Sequence, residues 1–236
     1  MIQKGTTMKI NILYEDNHLL CVEKPVNVPV QEDDSKDLDL LTALKDFIKV
    51  RDEKPGNVFL ALVHRLDRPV GGAMVFAKTS KAASRLATAL QKGQFELSYL
   101  TVVHGKPQKM SGQLEDYLYK DFKTNTSIVV PPTKKGSKRA SLSYRVLESA
   151  EGLSLIKVQL DTGRSHQIRV QFSHLGHPIW GDQRYGQEVN KVGQQIALWA
   201  TDLTFKHPTK DEYVTIHSRP EAKQPWYLFS PQAFEK

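Results

Sequence analysis

Apolar and polar positions first alternate at a strand-like period. Residues 10–24, opening "INILYEDNHLL", read as two short strands around a Glu-Asp-Asn turn. The period then lengthens: Leu41, Leu44 and Ile48 recur at helical spacing, with Leu40 and Phe47 on the neighbouring stripe. "NVFLALV" (57–63) and "AMVFA" (73–77) are apolar strands. A second helix follows, with Ser80 as N-cap, Ala82, Leu86, Ala89 and Leu90 as its stripe, and Gly93 as its stop. "SYLTVVHG" (98–105) alternates as a strand does, and strands 141–149 and 153–160 are joined by "AEG". A third helix starts near Arg164, aligns Ile168, Phe172 and Leu175, and stops at Gly176. Strands at 196–205 and 213–217 complete the pattern. Many strands, few helices and no regular βαβ alternation predict an α+β fold with a mixed sheet.

Composition narrows the classes. A chain of 236 residues can bury a substantial core. No apolar run approaches the roughly 18 residues that span a bilayer, so no membrane association is expected. "MIQKGTTMKI" lacks the apolar core of a signal peptide. The single cysteine, Cys21, allows no internal disulfide and argues against a thiolate-based zinc site, so a cytoplasmic protein is expected. Thirty-three Lys and Arg against 26 Asp and Glu give a net charge of +7, which favours polyanionic partners, although many soluble proteins are mildly basic. The cations cluster: Lys120, Lys123, Lys134, Lys135, Lys138 and Arg139 face only Asp121 between residues 120 and 139. The segment 131–139 is open to two readings, an RNA backbone contact or a solvated loop. "QEDDSKDLD" (31–39) is acidic and reads as a solvated loop.

Two polar clusters carry the candidate chemistry. "VHRLDRPVGG" (63–72) connects two apolar strands and sets Asp67 between Arg65 and Arg68. Nearby guanidinium groups keep a carboxylate ionised, which suits a nucleophile or an anchor and not a general acid. A structural ion pair that ties down the turn fits the same residues. The second cluster, 160–186, contains Arg164 in the first turn of its helix, where the macrodipole disfavours a cation. Arg164 is therefore expected to serve a carboxylate on another loop, with a surface pair to Asp161 as the alternative. His166, His174 and His177 lie near no Cys pair or H-E-x-x-H arrangement, so they read as structural or RNA-facing and no metal site is expected. No G-x-G-x-x-G or P-loop is present.

Together the clusters resemble the RluA-type pseudouridine synthases. The resemblance rests on His64-Arg65-Leu66-Asp67 followed by "RPVGG", then on "TGRSHQIR", "GHPI" and "GDQRYG" in order. "SYLTVVHG" looks like the family's tyrosine strand, and "ILYEDNHLLCVEKP" and "DLTFKHP" match its ends, so the likeness runs from about residue 10 to 220. It implies a pseudouridine synthase catalytic domain over 10–220, with a tail at 1–9 and an extension at 221–236. The expected fold is a mixed, largely antiparallel sheet flanked by helices around a central cleft. No small RNA-binding S4 domain is expected, and the default oligomeric state is a monomer.

The resemblance also implies an isomerase that converts uridine in structured ribosomal or transfer RNA to pseudouridine, without cofactor or metal. Asp67 would be the catalytic carboxylate, attacking C1′ or taking a 2′ proton. Arg164 would be its ion-pair partner, Tyr99 would stack on the flipped base and assist proton removal from C5, and Ile168 would pack at the site. His64, Arg65, Arg68, Lys138 and Arg139 would contact substrate RNA. Three positions depart from the family pattern: Val70-Gly71-Gly72 where Thr-Ser-Gly is frequent, Leu97 where lysine is frequent, and Trp199 where histidine is frequent. A catalytically silent RNA-binding protein of the same fold is the alternative from another class. A nucleoside glycosidase would ordinarily need a second carboxylate, and the matching motifs supply none.

Overall fold

The computed structural model describes residues 8–235. Eleven strands form one sheet: β1 (Asn11–Glu15), β2 (Leu19–Lys24), β3 (Ala61–Leu62), β4 (Gly71–Ala77), β5 (Phe95–His104), β6 (Ser111–Asp121), β7 (Thr126–Val130), β8 (Lys138–Ala150), β9 (Leu153–Leu160), β10 (Leu198–Lys206) and β11 (Tyr213–His217). Three helices accompany it: α1 (Leu40–Arg51), α2 (Ser80–Gln91) and α3 (Gln167–His174). The main path runs β1-β2-β4-β10-β5-β9-β8-β6-β7, with β11 on β10 and β3 on β4. All pairings between these strands are antiparallel except β4 with β10, so the expected mixed and largely antiparallel α+β fold is found. Among the described residues no helix is long and apolar enough to cross a membrane.

Alternation divides each central strand between two cores. On β4, Met74 and Phe76 join Leu20 and Val22 of β2 under α1, while Ala73, Val75 and Ala77 face α2 with Leu19 and Cys21. On β5, Tyr99 and Val103 join the first core beside Ile168 and Phe172 of α3, whereas Leu100 and Val102 face the opposite side. There they meet Trp226 and Phe229, so the segment read as an extension packs against the sheet over 226–235. Met1 to Thr7, most of the expected tail, lie outside the described residues.

Several element boundaries differ from expectation for identifiable reasons. The strand expected at 57–63 shrinks to Ala61–Leu62, because the same edge of β4 also pairs with β10 at Gly71 and Gly72. Thr79, not Ser80, caps α2 by accepting from the Ala82 N–H. The β6–β7 hairpin had no clear sequence signal, since β6 alternates half-buried and exposed positions with no apolar face. The largest change is at α3. It starts at Gln167, three residues later than expected, so Arg164 precedes the helix and the argument from the macrodipole does not apply to it.

Candidate active site

Asp67 sits on the connection between β3 and β4, and every backbone carbonyl from Asp67 to Val70 is bound. The Val70 N–H closes a turn onto the Asp67 carbonyl at 2.9 Å. Gln195 donates to the Pro69 carbonyl at 2.6 Å. Lys24 Nζ donates to the carbonyls of Arg68 at 2.9 Å and Val70 at 2.7 Å, and to that of Pro25 at 2.9 Å. Lys24 is fully buried at the end of β2. Burial pushes its pKa down to about 7 against the attraction of Asp67, and the three acceptors use all three hydrogens of an ammonium.

The side chain of Asp67 meets an arginine, but not the expected one. Arg169 Nη1 donates to Asp67 Oδ2 at 3.2 Å. The other edge of the Arg169 guanidinium forks onto Asp182, with Nε to Oδ2 and Nη2 to Oδ1 both at 2.8 Å. Asp182 also accepts the N–H groups of Arg184 and Tyr185. Burial works against both charges of that pair, yet their mutual hydrogen bonds prevail: Arg169 is held above the usual guanidinium range and Asp182 below the usual carboxylate range. Arg164 is exposed, and its Nε donates to the Arg139 carbonyl at 2.9 Å. The expectation that Arg164 pairs with Asp67 is corrected on this geometry. With Arg164 ahead of α3, Arg169 on the first turns of the helix is the residue that reaches the carboxylate.

The loop before α3 is built by Gln167. Its Oε1 accepts from the Thr162 hydroxyl at 2.8 Å and the Arg164 N–H at 3.0 Å, and its Nε2 donates to the Ser141 carbonyl of β8 at 3.0 Å. The chain enters α3 through His166, a residue at φ 56° that has no side-chain capping bond. Its Nε2 lies 3.8 Å from Asp67 Oδ2, and its Nδ1 lies 2.8 Å from the Tyr185 hydroxyl.

Asp67, Arg169, Tyr99, His166 and Ile168 all line one cleft of about 1700 Å³. Tyr99 is 7% exposed on β5, opposite a bulge where Thr201 interrupts the register of β10. Burial, with the charge of Asp67 adding to it, pushes its hydroxyl up, so Tyr99 stays protonated. Ile168, 4% exposed, packs in the core behind the cleft.

The residues expected to contact RNA part company. His64 Nε2 accepts the Val75 N–H at 3.2 Å, and burial pushes its pKa down to about 4, so this ring supports β4. Arg68 is held by the acidic segment, bonding Ser35 at 2.9 Å and pairing with Asp33 at 3.7 Å and with Asp37. That segment is therefore partly neutralised, and its Asp39 caps α1. Arg65, Lys138 and Arg139 are exposed, with Arg139 pairing to Glu115. Lys120 lines the cleft at the end of β6, and Phe122, 83% exposed, stands at the hairpin tip under its ammonium, 5.6 Å from the ring centroid.

A family model described as RNA pseudouridylate synthase matches residues 18–174, more than half of the chain. The chain belongs to this family. Among curated pseudouridylate synthases, it is 32% identical over 213 residues to the uncharacterized RNA pseudouridine synthase YhcT of Bacillus subtilis, covering 89% of this chain and 68% of that protein. It is 31% identical over 223 residues to ribosomal large subunit pseudouridine synthase D of Haemophilus ducreyi, covering 89% of this chain and 66% of that one. It thus spans about two thirds of the length of these relatives. The solved structure of human RNA pseudouridylate synthase domain containing 4 shares the fold, with a TM-score of 0.76 at 22% identity and 89% of each chain covered.

Sequence reading of this synthase missed Arg169, Asp182, Lys24, His166 and Tyr185 as members of the site. Four of them stand inside motifs that had been singled out, "TGRSHQIR" and "GDQRYG", and Lys24 stands in "VEKP". The signal was present as motif membership; which member faces Asp67 depends on where α3 begins.

Proposed function

We propose that this chain isomerises specific uridines in structured RNA to pseudouridine, with Asp67 as the reacting carboxylate. The observation that carries the reading is an aspartate on a pinned loop, paired by its Oδ2 to a buried arginine, beside a buried tyrosine in one cleft. The reaction breaks the bond from C1′ to N1, turns the uracil, and joins C1′ to C5 with loss of the C5 proton. Arg169 holds Asp67 in place through Oδ2, which leaves Oδ1 to attack C1′ or to take the 2′ proton. Reaching this depth requires the base to leave its stack, at a cost of a few kcal/mol. Stacking on Tyr99 returns roughly 1–3 kcal/mol. The apolar wall of Leu66, Leu97 and Ile168 limits water around the ion pair.

The RNA backbone would run from the cleft over the β6–β7 hairpin and the exposed Lys134, Lys135, Lys138 and Arg139, with Phe122 available to an unstacked base. The Haemophilus relative is named for the large ribosomal subunit, which makes ribosomal RNA the first substrate to test. The decisive assay uses cellular RNA carrying C5-tritiated uridine. Wild type should release tritium without free uracil, and Asp67→Asn should release none. Free uracil would instead favour a glycosidase, and no release from any RNA fraction would favour a silent binding protein.

A further inference from the structure

Three observations converge on His166. The first is the direction of the hydrogens. The Ser127 N–H donates to the Tyr185 hydroxyl oxygen at 2.7 Å, so that oxygen is already an acceptor. Burial pushes the Tyr185 hydroxyl up, so it keeps its proton, and the contact to His166 Nδ1 at 2.8 Å takes it. A ring that accepts at Nδ1 carries its own hydrogen at Nε2. That nitrogen faces Asp67 Oδ2 at 3.8 Å.

The second is the backbone. His166 holds φ 56°, a left-handed conformation that is uncommon for non-glycine residues and that gathers at functional sites. As N-cap it forms no side-chain bond to α3, so its side chain is spent on Tyr185 and Asp67 and not on the helix. The third is the supporting frame. The Tyr185 ring lies edge to face with His166 at 5.7 Å and under the Arg169 guanidinium at 5.2 Å, so the two groups that approach Asp67 Oδ2 share one ring as their platform.

We infer that His166 is a positioning residue for Asp67, kept as the Nε2–H tautomer by the Ser127–Tyr185 relay so that it donates to Oδ2 when RNA closes the cleft. The inference rests on Asp67 being the reacting group. The apo separation exceeds a hydrogen bond, as such contacts often do before the substrate tightens them. With Arg169 and His166 both on Oδ2, the carboxylate plane is fixed and Oδ1 is presented to the ribose.

The groups facing His166 are Asp67 from its loop, Arg169 of α3, Arg184 and Tyr185 from the 182–185 turn, Ser127 of β7 and Lys120 of β6. Burial and the three cations keep the ring neutral, with Asp67 alone favouring its charge. In Tyr185→Phe, Nδ1 loses its donor and the neutral ring no longer fixes its hydrogen at Nε2, whereas the protonated ring still donates there, so the loss of kcat should shrink as pH falls and the acid limb should flatten. kcat should fall roughly ten- to a hundredfold, the range for losing a hydrogen bond to a charged group, while KM for RNA changes by less than about twofold. His166→Asn, which tolerates the left-handed backbone, should lower kcat to a similar extent.

Nitrogen-15 NMR of the histidine-labelled protein tests the arrangement without substrate. His166 should appear as the neutral Nε2–H tautomer at pH 7, and its Nε2 resonance should shift in Asp67→Asn. An Nδ1–H tautomer, or an Nε2 resonance indifferent to Asp67→Asn, would overturn the inference, as would wild-type kcat and acid limb in either His166→Asn or Tyr185→Phe. Because the wild-type tautomer is read without turnover and without any variant, it decides the matter even where the uridine chemistry fails or a variant does not fold.

Discussion

Asp182 has a fully buried side chain and accepts both forked hydrogens of Arg169, so removing the guanidinium strands a carboxylate away from water. Breaking a buried pair in this way costs about 3–5 kcal/mol. Arg169→Met should therefore lower the urea midpoint strongly and abolish tritium release. Arg169→Lys should keep one contact at best, because an ammonium lacks the planar fork that serves both aspartates. Arg164→Ala should leave stability near wild type and release most of the tritium. A silent Arg164→Ala beside an active Arg169→Lys would reverse the assignment. The difference between these arginines was invisible in "TGRSHQIR", since both belong to the motif. It was settled by a helix start three residues later than the pattern suggested, and that start depends on Gln167 bonding back to Ser141 of β8. Local propensity does not contain a bond to a strand more than twenty residues away.

Strand β4 and strand β10 meet at Gly71 and Gly72, and there two apparent departures from the family pattern become one. A Cβ on Gly71 would lie 2.3 Å from the Trp199 ring, so the absent hydroxyl side chain and the present indole occupy the same space. Trp199 is fixed in turn by Nε1 donating to Ser218 at 2.9 Å, and Ser218 donates to Glu23 at 2.6 Å. Gly72, at φ 124°, lets the backbone of Ala200 approach to where a Cβ would stand. Gly71→Ser alone should overpack the joint by about 1–3 kcal/mol. Combined with Trp199→His, the loss should be smaller than the sum of the single losses by at least about 0.5 kcal/mol, as expected for residues in contact. Additive losses in urea unfolding would show that the two positions are independent. β9, apolar on both faces, and β11, apolar on one, were legible at their observed bounds. The β6–β7 hairpin was not, because the inward positions of β6 mix Leu114 and Leu118 with Gly112 and Asp116, so its alternation carries no apolar period.

Across the whole molecule, the basic hairpin and the cleft are mechanically joined. Arg184 Nη1 donates to the Thr124 and Asn125 carbonyls at 2.8 and 3.1 Å, and Tyr185 receives Ser127, so the hairpin tip hangs on the turn that also holds Asp182. RNA seated on Lys120 and Lys123, beside that tip, would thus lie against the frame of the ion pair. Lys123→Ala should weaken binding and reduce the slope of log affinity against log salt by roughly 1. Phe122→Ala should cost about 1–3 kcal/mol with little change in that slope, as stacking does. Filter binding at several salt concentrations separates the two, and equal slope changes would remove the stacking role.

The sequence by itself determined the mixed α+β class, the two motif clusters and Asp67 as their carboxylate. Those features follow from local periodicity and from residue types fixed in order along the chain. Only the tertiary structure decided that Arg169 and not Arg164 meets Asp67, that Lys24 and Gln195 pin its loop, and that His166 faces it. Those choices depend on bonds between segments 44 to 126 residues apart. Hydrogen-bond direction and helix start are settled by the neighbours that packing supplies, and no local pattern encodes them.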